Sequence, residues 1–218
     1  LLSTAFDPRM TQINDGLNRS IEIAYKPLGY NLVYDWSGFV SNYPLRTLMG
    51  RHYVVESVAT STGVLSGSGT EIKSTETYSY KGLRYNAIGK GLMGFEELII
   101  NESETQLGVY KTFSIDPATF YVYPSKVALK KMSGDTAFIL TNHLAKVNFP
   151  NNVFYPYFDI ISTNDALKDD ITIITQHVDD YGNTTLHSKN TNNGEASETT
   201  VFSRSEEHTS ELQSRQVI

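Results

Sequence analysis

Short stretches of alternating apolar and polar residues, each soon cut off by a turn, run the length of this 218-residue chain and limit what it can fold into. After Asn14-Asp15-Gly16, residues Ile21, Ile23 and Tyr25 alternate with Ser20, Glu22 and Ala24, the period of a strand with one covered face. Lys26-Pro27-Leu28-Gly29 closes it, because proline has no N–H to give a ladder. Residues 31–36 and 51–59 read as further strands, linked through Tyr43-Pro44, whereas Gly- and Ser-rich 61–70 reads as an exposed loop. Residues 71–80 alternate again and end in Tyr78-Ser79-Tyr80. A hairpin is expected from 95–101 and 109–114 around Glu102-Ser103-Glu104-Thr105, then a short strand, 120–123, stopping at Pro124. Residues 127–132 and 136–141 form a second hairpin across Ser133-Gly134-Asp135. Tyr155-Pro156-Tyr157 introduces 158–162, a third hairpin joins 171–178 to 184–189 over residues 179–183, and Asn192-Asn193-Gly194 turns into 197–202. Residues 137–146 also admit a helical reading, but no segment carries a sustained 3.6-residue period with caps. The expected class is all-β: antiparallel hairpins in a sheet, sandwich or barrel. Fourteen Tyr and ten Phe against one Trp suit pleated, half-wet surfaces.

Gly89-Lys90-Gly91-Leu92-Met93-Gly94-Phe95 contains the Gly-x-Gly-x-x-Gly spacing of a phosphate cradle. A cradle needs a strand before the glycines and a helix opening on them, so that free N–H groups meet the phosphate. The residues that follow, Glu96 to Asn101, are β-branched in part and carry no helix cap, so the run reads as glycines between two β-elements.

Residue clusters with chemical potential are few. Glu96-Glu97, Asp169-Asp170 and Asp179-Asp180 are adjacent pairs, and neighbours in a strand point to opposite faces, so they read as solvated edges and turns rather than facing acids. His177 and His187 lie on the two arms of one hairpin and could share a metal only if the register set them opposite; no carboxylate is spaced to complete a set, and exposed strand positions are the simpler reading. His52 and His143 stand apart. There is no Gly-x-Ser-x-Gly elbow and no EF-hand ligand pattern. No catalytic, cofactor-binding or metal residues are assigned, and the chain is read as non-enzymatic. Tyrosine faces could stack on sugar rings, although most are expected to pack between strands.

A net charge of −6 gives no basic footprint for nucleic acid, absence of cysteine excludes disulfides and thiolate metal sites, and no apolar run approaches the ~18 residues of a membrane-spanning helix. Residues 204–214, Arg-Ser-Glu-Glu-His-Thr-Ser-Glu-Leu-Gln-Ser, resemble a translated sequencing-library adapter, so 204–218 is set aside as a non-native tail. The chain starts at Leu1 without Met, and 1–203 is expected to be an internal piece of a longer protein.

Three segments taken together resemble one family. Ile23-Ala24-Tyr25-Lys26-Pro27-Leu28 is similar to the I-x-Y-K-P-L segment of Rhs-type proteins and of the B component of Tc insecticidal toxins. Tyr78-Ser79-Tyr80-Lys81-Gly82-Leu83-Arg84-Tyr85 with the glycine run to Phe95 resembles that family's Y-x-Y-x-G…G-(R/K)-G-x-x-G-F block, with Leu92-Met93 where an aromatic plus Leu is usual. Val178-Asp179-Asp180-Tyr181-Gly182-Asn183 resembles a YD repeat, Val178 replacing the usual Tyr, within a YD-like unit near 171–202. The resemblance implies a slice of a large curved β-shell around a toxic C-terminal segment, in a bacterial protein that is secreted or displayed on the cell surface and acts in virulence. Implied partners are the remainder of the same chain, the enclosed toxin segment and a Tc-type translocation component. No cofactor is implied. A carbohydrate-binding β-module of a secreted or surface protein is the alternative. In either case the structural residues are Gly89, Gly91 and Gly94, where a Cβ would hinder the backbone; Gly182 and Asn183, for positive φ at the YD turn beside Asp179 and Asp180; Pro27; and the packing anchors Tyr25, Tyr78, Tyr80, Phe95 and Tyr181.

Overall fold

The computed structural model describes residues 9–16, 19–36, 42–50, 52–203 and 214–217; residues 204–213, most of the adapter-like stretch, lie outside them. The described chain is all-β, with strands joined by turns and two single 3-10 turns, Pro150–Asn152 and Asn192–Gly194. It divides into two units, 1–109 and 110–218.

The first unit holds β1 (Gln12–Asn14), β2 (Ser20–Pro27), β3 (Tyr34–Asp35), β4 (Leu45–Thr47), β5 (Tyr53–Leu65), β6 (Glu71–Lys81), β7 (Arg84–Asn86), β8 (Gly91–Gly94) and β9 (Glu97–Glu102). Its antiparallel order is β1-β2-β5-β6-β9, with a separate small sheet β4-β7-β8. β9 occupies one edge of β6 across Glu76–Lys81. On the other edge β5 pairs no further than Thr77, and β3 takes its place, parallel, with Tyr34 opposite Tyr80 and Asp35 opposite Lys81.

Two expectations change here. The strand expected over 31–36 shrinks to Tyr34–Asp35, because Val33 and Tyr34 both donate their N–H to the Tyr30 carbonyl and close a turn first. Half of the loop expected over 61–70 is strand. β5 runs on to Leu65, its register slips between Ser61 and Leu65, and Gly63 there has φ +75°, so this glycine marks a bulge and not a loop. Only Ser66 to Thr70 turns the chain, with the Ser66 N–H bonding the Thr70 carbonyl.

The second unit is a meander. β10 (Leu107–Ile115) carries the chain into it, and β11 (Val122–Lys131), β12 (Thr136–Asn148), β13 (Phe154–Asp165), β14 (Asp170–Val178), β15 (Thr184–Thr191), β16 (Ala196–Ser203) and β17 (Ser214–Val217) follow, each antiparallel to the one before. The stretch 137–146, which also allowed a helix, is strand throughout, paired on one side with β11 and on the other with β13. Pro124 and Pro156, expected to stop or precede strands, lie within β11 and β13. Pro156 falls where β13 is paired with β12 only, since the β14 register begins at Ile160, and a proline is tolerated where an edge is open. Ala128, Ala137, Thr172 and Thr200 are the buried side chains among the described residues of this unit.

An ionic staple ties the β10–β11 connection to β12. The Asp116 carboxylate accepts from Lys146 Nζ at 2.7 Å and from the Thr119 N–H at 3.0 Å, and the Thr119 hydroxyl donates to the same oxygen. Lys146 and then Thr119 hold the Asp116 carboxyl below its ordinary 3.8. A carboxylate depressed in the folded state contributes stability above its unfolded value and loses it as pH falls through the folded value. Urea unfolding of the chain on a soluble fusion partner, from neutral to acid pH, is therefore expected to show an acid loss of stability. Replacing Lys146 by Met should flatten that limb and cost about 1–3 kcal/mol at neutral pH.

Candidate functional site

The residues of the Tyr-Ser-Tyr-Lys-Gly and glycine-run block converge on one joint in the first unit. Pro27 is the last residue of β2 to pair, opposite Tyr53, after which Leu28 bonds the His52 carbonyl and enters the core with Tyr34 and Leu83. Tyr34 is 0% exposed. Its hydroxyl accepts from the Leu83 N–H and donates to the Leu48 carbonyl, both at 2.9 Å, joining strands far apart in sequence. Burial pushes its pKa up. Phe95, just past the last glycine, stands edge-on to Tyr34 at 6.3 Å and tilted against Tyr80 at 4.7 Å, geometries favourable to aromatic pairs.

The glycines serve this joint. Gly89, Gly91 and Gly94 all have positive φ and shape the β7–β8 hairpin, where Asn86 pairs with Gly91 and Arg84 with Gly94; a Cβ at any of the three would meet nothing within 4 Å. The chain that follows is β9, a strand, so no helix N-terminus faces the run. Gly82, not singled out from the sequence, is more constrained: φ is +61°, and a Cβ there would lie 2.8 Å from Glu96 Oε2 and 3.0 Å from Glu96 Cβ. Glu96 is held by Arg84 at 3.0 Å and by its own N–H on the Lys81 and Gly82 carbonyls. Asn86, wholly buried, accepts the Ile88 N–H and closes the hairpin loop.

The remaining expected residues are placed as follows. Tyr78 donates to Glu76, and burial first, then this bond, pushes its pKa up to about 12. Tyr25 is half-buried and donates to the Met10 carbonyl at 3.0 Å. At the 179–183 turn, Asp179 Oδ1 accepts the N–H groups of Tyr181 and Asn183, and Gly182, with φ +84°, donates to the Asp179 carbonyl. Asp180 is exposed. Two expectations fail at this turn. Tyr181 is 81% exposed and anchors no packing, and Asn183 is not among the positive-φ residues. The Asn183 side-chain amide instead bonds both Asp179 oxygens, so its role is to hold the carboxylate.

The paired acids separate. Glu96 pairs with Arg84 and Glu97 with Lys81, Asp169 sits at positive φ in a turn, and Asp170 begins β14. His177 lies opposite Leu186 and His187 opposite Gln176, so the two imidazoles leave opposite faces and cannot share an ion. Beside the joint, a groove of about 170 Å³ is lined by Leu32, Asp35, Ser79, Lys81 and Glu97. That is small against the roughly 300–1,000 Å³ of ordinary ligand pockets. The chain matches no protein-family model, no curated protein and no solved structure.

Proposed function

We propose that this chain is a structural segment of an Rhs/YD-repeat, Tc-B-like protein, forming part of the β-wall that encloses a toxin segment. One observation carries the reading: the residues of the family-like block meet in a single packed joint, where they fill space, bond backbone and supply positive φ. Two features of the second unit add to it. Its buried side chains are few among the described residues, and the YD-like turn is closed by its own Asp, Gly and Asn. A sheet in this condition needs further layers or neighbours to cover its faces, as repeat arrays provide. The role is non-enzymatic. The partners are the rest of the parent chain, its enclosed segment and a translocation component, in a protein that is secreted or held at the cell surface.

Isolated from its parent, the chain is expected to aggregate, because strands that end an array present bare hydrogen-bonding edges. Size-exclusion chromatography and calorimetry check this. A monodisperse chain with one cooperative melt would sink the wall reading.

A further inference from the structure

The turns at the two ends of the second-unit meander differ in chemistry. At one end, turns 132–135, 166–169 and 192–195 hold charges of both signs and no aromatic residue. At the other, turns 116–121, 149–153 and 179–183 hold no Lys or Arg, and they carry Tyr121, Val153 and Tyr181, with Phe154 and Tyr155 opening the strand beyond the second. Tyr181 is 81% exposed, Val153 58%, Tyr155 44% and Tyr121 38%.

Contacts between the turns make this end one surface. The Tyr121 and Phe154 rings meet edge to face at 6.2 Å. Gly182 packs on Tyr155, whose ring lies 3.7 Å from where a Cβ on the glycine would stand. Backbone bonds of 2.8–2.9 Å hold each turn shut at its base: the Asp116 N–H on the Tyr121 carbonyl, the Phe149 N–H on that of Val153, and the Asp179 N–H on that of Asn183. Phe120 is kept at φ +58°, costly for a bulky residue, by its N–H on the Asp116 carbonyl, and such strain gathers where a surface is shaped for contact.

Charge selects the partner. Lys146 pairs with Asp116, and the Asp179 carboxylate is taken up by Asn183 and the Tyr181 N–H. Asp180 is therefore the exposed carboxylate of these three turns, and it directly precedes Tyr181. An exposed ring next to a carboxylate suits a guanidinium, which stacks on the one and forks onto the other. We infer that this rim is an interaction surface for an extended, arginine-bearing segment of another protein. The turns stand two strands apart, so the rim runs about 19 Å, the reach of roughly six extended residues. Apolar neighbours of the arginine meet Val153 and Tyr155. Rigid tyrosines on turns fixed by a sheet lose little freedom on binding. Nucleic acid or an anionic membrane would meet a carboxylate and no cation here. A zwitterionic membrane is less suited, since rims seated in one carry Trp, Lys and Arg beside Tyr.

The test is panning of the 218-residue chain, on a soluble carrier, with a phage-displayed library of random dodecapeptides, counter-selected on the carrier alone. The selected peptides are expected to be rich in arginine and poor in Asp and Glu. The tightest of them, followed by fluorescence anisotropy, should lose about tenfold in affinity with Tyr181→Ala and with Asp180→Asn, weaken when its arginines become lysines or when salt is raised, and ignore Leu167→Ser at the opposite end of the unit. Residues 180 and 181 are exposed, so neither change opens a core, and far-UV circular dichroism checks the fold of each variant. No peptide selected beyond the carrier, peptides without arginine, affinity indifferent to either rim variant, or sedimentation with phosphatidylcholine vesicles that Tyr181→Ala abolishes each overturns the proposal. It stands apart from the wall reading: a monodisperse chain sinks that reading and leaves this one intact.

Discussion

Replacing Tyr34 by Ala is expected to unfold the first unit. The ring is wholly enclosed against Leu28, Leu83 and Phe95, and large-to-small changes of a buried aromatic cost about 3–5 kcal/mol. That is a large share of the roughly 5–15 kcal/mol by which domains are stable. Tyr34→Phe separates the two contributions of the residue. It keeps the ring and removes only the hydroxyl that joins the Leu83 N–H to the Leu48 carbonyl, so it should cost about 1–3 kcal/mol. Denaturant unfolding of the two variants, each carried on a soluble fusion partner, measures this. Equal losses would show that the hydroxyl bridge, and not the packing, dominates; a negligible loss in Tyr34→Ala would remove the residue from the core of the joint.

The second large effect is expected at Gly82, with Gly94 as its control. Both have positive φ, so alanine at either should carry the roughly 1–2 kcal/mol that an L-residue incurs in the left-handed region. A Cβ at Gly94 meets nothing within 4 Å, whereas at Gly82 it meets Glu96 Oε2 and Cβ. Glu96 can move away only by loosening its bond with Arg84 and shifting the backbone that leads into β9. Gly82→Ala should therefore destabilise clearly more than Gly94→Ala. Glu96→Ala in the same chain should recover part of the difference, which thermal melts of the three variants and the parent chain, on the same soluble carrier, would read. If the two glycine variants melt alike, the close approach at Gly82 carries no weight and the strain is conformational alone.

The parts of this fold that were legible in sequence are those fixed by nearby residues. The hairpins over Ser133-Gly134-Asp135 and over 179–183 turn where their small and polar residues predict, since the Gly134 and Gly182 N–H groups bond carbonyls three residues back. What depends on distant partners was not legible. Tyr34 looked like one more strand residue, yet its burial depends on Leu83, forty-nine positions on. Prolines 124 and 156 looked like strand ends because the sequence does not say which strand edges lack neighbours. Tyr181, expected as an anchor from its place in the repeat-like segment, is 81% exposed, because the turn is closed by Asp179 and Asn183 and leaves the ring in solvent. The tyrosine that does pack against this turn, Tyr155, reads in the sequence only as the lead-in to a strand.

The unlike wiring of the two units sets the order in which they can form. In the second unit strand order equals chain order, so every pairing closes a short loop, and each hairpin can add to the last as the chain lengthens. The first unit has no such ladder to climb. β2 must wait for β5, β3 for β6, and the Tyr34 hydroxyl for a backbone amide forty-nine residues later. Its joint closes late and all at once, after much chain entropy has been given up, whereas the meander behind it zips locally. On a ribosome, the half of this chain that is made first is the half that finishes its contacts more slowly.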